Sequence, residues 1–147
     1  AVPLPHRTRP LPCGRRRPCP TPGESRGGAF MLDRLEVYQK AVDFADDIAG
    51  LTEGFPRGYG FMVDQLNRAA LSIATNLAEG NGRFTKPDRR NFFTIARGSA
   101  QECVPLLEIA RRRGIVPEPV ALALRERLEV IAKMLSGLIN GLDKRDF

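Results

Sequence analysis

The sequence predicts an all-α fold: an antiparallel up-down-up-down four-helix bundle over residues 31–147, preceded by a disordered arm over residues 1–30. Two observations lead to this prediction. Apolar residues recur at steps of three and four in four successive segments, which is the spacing of one helix face. Glycine and proline separate these segments by short loops, so neighbouring helices are expected to run antiparallel.

The arm differs in composition from the rest of the chain. It contains seven of the twelve prolines and six arginines against one acidic residue, Glu24. So few apolar side chains cannot offset the entropy lost on ordering. Whether the arm is native stays open, because the patterned sequence begins at Met31. Without the arm, 17 Lys and Arg face 16 Asp and Glu, so the bundle is nearly neutral.

The first helix is predicted over residues 33–52. Asp33 and Glu36 form a capping-box-like pair at its start. Gly54 in a left-handed conformation, followed by Pro56, is expected to end it. The predicted buried face consists of Leu35, Tyr38, Val42, Ala45, Ile48, Ala49 and Leu51.

The second helix is predicted over residues 59–79 and is expected to stop at Gly80 and Gly82. Its apolar positions recur without a break at steps of three and four. The predicted buried face consists of Met62, Leu66, Ala69, Ile73 and Leu77.

The third helix is predicted over residues 86–113, with Thr85 and Asp88 as its N-terminal cap and Gly114 closing it. Pro105 lies inside this segment, where it removes a backbone hydrogen bond. We expect a kink there, and a break into two helices near residue 104 is the alternative. The predicted buried face consists of Phe92, Ile95, Ser99, Cys103, Leu106 and Ala110.

The fourth helix is predicted over residues 117–142. Pro117 and Pro119 are compatible with it only at its first turn, which fixes its start. Its predicted buried face is the longest in the chain and consists of Val120, Leu124, Leu128, Ile131, Leu135, Leu138 and Leu142.

The residue inventory argues against an enzyme. The only histidine, His6, lies in the arm, so the bundle lacks a histidine base and the histidine ligands of di-iron bundles. Cys103 falls on a core position and is expected to be a buried, inert thiol. We therefore predict no catalytic residue, cofactor or metal. The few cysteines and the absence of a long apolar run predict a cytoplasmic protein without a membrane span.

Polar residues form a row on the second helix and a shorter set on the third. We interpret them as a buried network that fixes helix register or a subunit contact; the alternative is a solvated face. Gly98, beside this set, is expected to let another backbone approach closely. The row and its partners are Arg68, Ser72, Asn76, Glu79, Arg83, Ser99 and Glu102.

Basic residues cluster around the second loop and the start of the third helix, where they could contact phosphates. The alternative is a solvated turn at the end of the bundle. Phe92 and Phe93 adjoin the cluster, but core or subunit packing is favoured over base stacking for them. The candidate nucleic-acid contacts are Arg83, Lys86, Arg89, Arg90 and Arg97.

Apolar residues that fall outside the predicted buried faces suggest self-association. Phe61, Leu71 and Phe93 are expected to be exposed, and large exposed apolar surfaces usually find partners.

Two motifs resemble the signature of the bacterial four helix bundle protein family: QLNRAALSIATNLAEGNGR, from Gln65 to Arg83, and FFTIARGSAQE, from Phe92 to Glu102. Members were first noticed as products of intervening sequences in large-subunit ribosomal RNA genes. They are similar to the accessory variability determinant of diversity-generating retroelements. The resemblance covers residues 32–142 and leaves the arm outside.

The resemblance implies a homo-oligomeric ring, typically a pentamer, and assigns no enzymatic activity. For the retroelement relative it implies binding of RNA or DNA and of a reverse transcriptase through a basic surface. Pro105 departs from the family's pattern, and the nearly neutral bundle weakens the transfer of the basic-surface function. Because the ribosomal link is one of gene location, it predicts no binding to the ribosome.

Overall fold

The computed structural model describes residues 31–144, so the disorder predicted for residues 1–30 concerns a segment outside this range. All the secondary structure within the range is helical, which confirms the predicted all-α class. In chain order it consists of a 3-10 turn Met31–Arg34, α1 Glu36–Thr52, α2 Gly60–Asn81, α3 Lys86–Arg112, α4 Glu118–Gly141 and a 3-10 turn Leu142–Lys144.

The four helices form the predicted bundle. Each helix packs against the next one in the chain, α4 packs back against α1, and the contact between α2 and α3 is the most extensive. The connecting loops are at most seven residues long, so consecutive helices run antiparallel. As a result, α1 and α3 begin, and α2 and α4 end, at the same end of the bundle as the α2–α3 loop, residues 82–85.

The buried face of α2 is the predicted one. Its five predicted residues are all buried, with Leu66, Ile73 and Leu77 fully excluded from solvent. The face is wider than predicted, because Ala70, Ala74 and Gly80 are buried as well. Large apolar residues from the other helices complete the core: Phe44, Ile48, Leu107, Leu128, Ile131 and Leu135.

The predicted buried face of α3 was partly wrong, because it followed the large side chains. Ile95 is 44% exposed, whereas Phe93, expected outside, is 3% exposed. α3 packs against both α2 and α4, and most of the residues that it buries against them have small side chains. Small side chains allow helices to approach closely, so size was a misleading guide here. The buried residues are Phe93, Ala96, Ser99, Ala100, Cys103, Leu107 and Ala110.

The predicted faces of α1 and α4 were also partly wrong. In α1, Ile48 is the one fully buried residue of the seven predicted; Val42 and Ala49 are exposed, the other four are half-buried, and Phe44, which was not predicted, lies in the core. Val37, Ala41, Phe44, Ile48 and Thr52 are the buried residues of this helix. In α4 the predicted face holds from Leu124 onward, but Val120 is 39% exposed and Ala121 takes its place.

The two predicted N-terminal caps have opposite outcomes. The Thr85 hydroxyl accepts a hydrogen bond from the backbone N–H of Asp88 at 3.3 Å, as predicted. The cap predicted at Asp33 is wrong, because Met31–Arg34 forms a separate 3-10 turn and α1 begins at Glu36 without a side-chain cap. Leu35 and Leu32 share a backbone hydrogen bond, which continues the chain from that turn into the helix.

The glycines at the helix ends also differ from expectation. The left-handed glycine after α1 is Gly58, with φ of 97°, rather than Gly54. Gly114 has φ of 72° and closes α3 as predicted. Gly80 does not stop α2, which continues to Asn81.

Pro105 does not divide the third helix, which is continuous from Lys86 to Arg112. Proline at this position leaves the carbonyl of Gln101 without its helical donor. Both residues are exposed, so water can hydrogen-bond to this carbonyl. The alternative of two shorter helices is therefore wrong.

Gly80 has a steric role inside α2. A Cβ atom at this position would lie 2.7 Å from Cε1 of the buried Phe93 and 3.1 Å from Cβ of Phe92. Only glycine therefore allows α2 and α3 to come this close at the end of the bundle that carries their loop.

We expect Gly80→Ala to destabilise the protein by about 1–3 kcal/mol, because the new methyl group overpacks this contact. The decrease would appear as a lower urea midpoint with an unchanged slope. Gly137→Ala is the matched control, since it lies inside α4 with no atom within 4 Å of its Cβ position. The control should leave stability unchanged or raise it by up to about 1 kcal/mol. Equal stability of the two variants would contradict the steric role.

Candidate subunit-contact and nucleic-acid surfaces

Two side-chain pairs of the predicted polar row join α2 to α3. A guanidinium nitrogen of Arg68 lies 2.5 Å from Oε1 of Glu102, and the hydroxyl oxygens of Ser72 and Ser99 lie 2.8 Å apart. The two pairs follow each other along the same seam, since α2 and α3 are antiparallel. We call this set, Arg68, Ser72, Asn76, Ser99 and Glu102, the polar seam.

The serine hydroxyls belong to a directed chain of hydrogen bonds. Ser99 Oγ donates to the carbonyl of Ile95 at 3.1 Å, so Ser72 must supply the hydrogen in the bond between the two hydroxyls. Asn76 Nδ2 donates to the Ser72 carbonyl at 2.8 Å and to Ser72 Oγ at 2.9 Å. Both serine hydroxyls and the amide nitrogen of Asn76 are therefore engaged within the protomer. Such pairing suits a structural joint better than a ligand site.

Glu79 and Arg83 do not join this seam. Arg83 pairs with Glu79 one turn away at 3.2 Å, and its guanidinium carbon lies 4.6 Å from the centre of the Phe92 ring. The cation therefore covers the exposed side of an aromatic ring on α3. The predicted row of five residues on α2 and just beyond it thus splits into a cross-helix seam and a local ion pair.

The polar seam is only partly buried, which places it between the two interpretations of the sequence. Ser99 is 8% exposed, but the side chains of Arg68 and Glu102 are 58% and 42% exposed. The hydroxyl pair is thus shielded, while the ion pair faces solvent. An exposed ion pair of this kind contributes little stability, about 0–1 kcal/mol.

Apolar side chains border the polar seam on the outside of the bundle. Leu71 on α2 is 58% exposed, and Ile95 and Ile109 on α3 are 44% and 46% exposed. Gly98 lies among them on α3, exposed and with no atom within 4 Å of its Cβ position. The close approach predicted at Gly98 is therefore not made within the protomer. We call Leu71, Ile95, Gly98 and Ile109 the outer α2–α3 face.

Four of the five candidate nucleic-acid contacts lie near one another at the α2–α3 loop. Arg89 Nε donates to the backbone carbonyl of Arg83 at 2.8 Å, and Lys86 begins α3. Arg90 pairs with Asp143 at 2.6 Å, and this bond holds the pKa of the Asp143 carboxyl below its usual range. These four basic residues thus lie at one end of the bundle, although Arg83 and Arg90 are each paired with a carboxylate.

The fifth candidate, Arg97, is separate from this cluster. Its Nε donates to Oγ of Ser136 at 2.9 Å, which ties α3 to α4 in the middle of the bundle. Its position suits a structural contact between helices better than a phosphate contact.

Sequence reasoning missed Phe84, which is 95% exposed in the loop between Arg83 and Thr85. The aromatic residues that it considered behave differently: Phe93 is buried, and Phe92 lies beneath Arg83. A signal was available, since Phe84 is a large apolar residue in a turn that belongs to neither helix face.

Among the described residues, chemistry-bearing groups are scarce. Burial, assisted by the charge of Glu102, raises the pKa of the Cys103 thiol to about 12, so the nucleophilic thiolate is disfavoured. Within residues 31–144 no cluster of three or more histidine, cysteine or acidic side chains has metal-binding geometry. The helices of this range all fall short of the combined length and apolar character needed to cross a bilayer.

Comparison with known proteins places the bundle in a family context. A family model described as 23S rRNA-intervening sequence protein matches residues 33–137. A similar crystal structure is that of a protein of unknown function from the S23 ribosomal protein family of Bacteroides thetaiotaomicron. It is 25% identical in sequence, covers 70% of this chain and 97% of its own, and superimposes with a TM-score of 0.66. No curated protein matches the sequence.

Proposed function

Because this chain belongs to the 23S rRNA-intervening sequence protein family, we propose that it is a non-enzymatic scaffold that assembles with copies of itself and contacts nucleic acid at one end. The alternative is a structural protein–protein interaction module without nucleic-acid binding. The family name describes where the genes of its members lie, so it gives no support to ribosome binding.

The outer α2–α3 face carries the proposal of self-assembly. Three large aliphatic side chains are about half exposed there, beside a helix position that has no side chain to obstruct a partner. The Ser72, Asn76 and Ser99 side chains of the polar seam already hydrogen-bond within the protomer, so burying these three would leave few unpaired donors. A closed ring would cover the same face on every copy, and five subunits is the number that the family resemblance implies.

The α2–α3 loop supports the nucleic-acid part of the proposal. Lys86, Arg89 and Arg90 lie on the first turns of α3, and the arm with its six arginines joins the bundle at the same end. Phosphate binding there would be weak and salt-sensitive, because Arg90 already has a carboxylate partner. A reverse transcriptase as a further partner stays a prediction of the resemblance alone.

We expect light scattering of the full chain to give a mass several times the protomer's 16.3 kDa at micromolar concentration. Ile95→Glu should shift the mass toward that of the monomer, because it places a charge on the outer α2–α3 face. Val130→Glu is the matched control: Val130 is 45% exposed, against 44% for Ile95, but lies on α4. A monomeric wild-type protein would overturn self-assembly, and an Ile95→Glu variant that keeps the wild-type oligomer mass would overturn the choice of face.

We expect the full chain to bind RNA or DNA in fluorescence anisotropy, with an affinity that falls steeply as salt is raised. The Lys86→Gln/Arg89→Gln double variant should weaken binding and reduce the salt dependence by about one unit per lost phosphate contact. A full-length variant with all six arm arginines changed to glutamine separates the contribution of the arm. If that variant abolishes binding while the loop variant leaves it unchanged, the bundle is a structural module only.

A further inference from the structure

Phe84 is held in an exposed position by the backbone on both of its sides. On one side, the N–H of Arg83 donates to the carbonyl of Gly80 at 3.2 Å, and the carbonyl of Arg83 accepts from Arg89 Nε at 2.8 Å. On the other side, Thr85 is fixed as the N-terminal cap of α3. Phe84 is 95% exposed, so the loop presents its side chain to solvent on a well-anchored backbone.

The ring borders a depression with a mixed lining. This shallow cavity of about 600 Å³ lies between Phe84 and the last turns of α2. Its lining offers an apolar wall, a hydroxyl group, a carboxylate and a guanidinium, from Phe84, Ala78, Gly82, Thr75, Glu79 and Arg83. Such a combination suits a flat ligand with hydrogen-bonding edges better than a purely apolar one.

We infer that Phe84 is a stacking platform for an unpaired base of a single-stranded nucleic acid whose phosphates contact Lys86 and Arg89, on the first turns of α3 next to the α2–α3 loop. This inference rests on the proposed nucleic-acid function and names the form of nucleic acid that the site prefers. Base stacking on an exposed aromatic ring beside cationic side chains is the usual way in which proteins bind single strands. A duplex offers the ring no free base face, since its bases are stacked on each other.

A second copy of the chain is a less suitable occupant of this site. Subunit interfaces usually have an apolar core, and Phe84 is not part of the outer α2–α3 face, since it lies in the loop beyond the end of α2. Basic residues flank Phe84 in the chain: Arg83 precedes it, and Lys86 and Arg89 follow it on the first turns of α3.

The test compares a fluorescent 12-nucleotide single strand with the corresponding 12-base-pair duplex, using the full-length protein at two salt concentrations. Phe84→Ala should weaken single-strand binding by about 5- to 150-fold, the range that stacking on one aromatic ring contributes, and should change duplex binding little. Phe84→Tyr keeps the ring and should restore affinity. Phe61→Ala is the matched control, since Phe61 is 66% exposed but lies at the opposite end of α2.

The possible failures are distinguishable. If the wild-type protein binds single strands and Phe84→Ala binds them equally well, the stacking role is wrong and the proposed charge-based binding stands. If the wild-type protein binds neither probe, the nucleic-acid part of the proposed function fails, and the stacking role fails with it. If Phe84→Ala lowers the oligomer mass in light scattering, Phe84 is a subunit contact and the inference is overturned.

Discussion

The close contact between α2 and α3 determines the shape of this bundle. It depends on residues with little or no side chain, because a methyl group at Gly80 would enter the space of the Phe93 ring. The buried face of α3 otherwise carries mostly small side chains, among them Ala96, Ser99 and Ala100. Between the two helices the hydroxyls of Ser72 and Ser99 meet at 2.8 Å.

The rest of the molecule is organised around this pair of helices. The contact between α1 and α4 is less extensive. Arg127 bridges it by pairing with Asp47 at 2.6 Å, while its guanidinium lies 5.5 Å from the centre of the Phe44 ring. The candidate surfaces all lie on the α2–α3 side of the bundle. The outer α2–α3 face, the basic loop and Phe84 are all carried by α2, α3 and their connection, so one rigid unit positions them together.

Local sequence patterns predicted some elements of the fold correctly and others wrongly. The α2 face and the Thr85 cap were predicted correctly, because each follows from the spacing of a few neighbouring residues. The α3 face was displaced, since its closest contacts are made by small residues that look neutral in a sequence. Asp33 had the right chemistry for a cap, but the 3-10 turn before α1 takes up that segment.

For the candidate sites, the sequence indicated features that depend on local spacing and missed contacts that depend on how the helices pack. A row of polar residues was visible from spacing on α2, whereas the pairing of Ser72 with Ser99 depends on helix packing that no local pattern specifies. Arg97 was grouped with the loop cations by sequence proximity, but it donates a hydrogen bond to Ser136 on α4 instead.

The joint between α2 and α3 is tested most directly by a double-mutant cycle of Ser72→Ala and Ser99→Ala in urea unfolding. A structural joint predicts a coupling free energy of about 1 kcal/mol between the two hydroxyls, whereas strictly additive effects would contradict it.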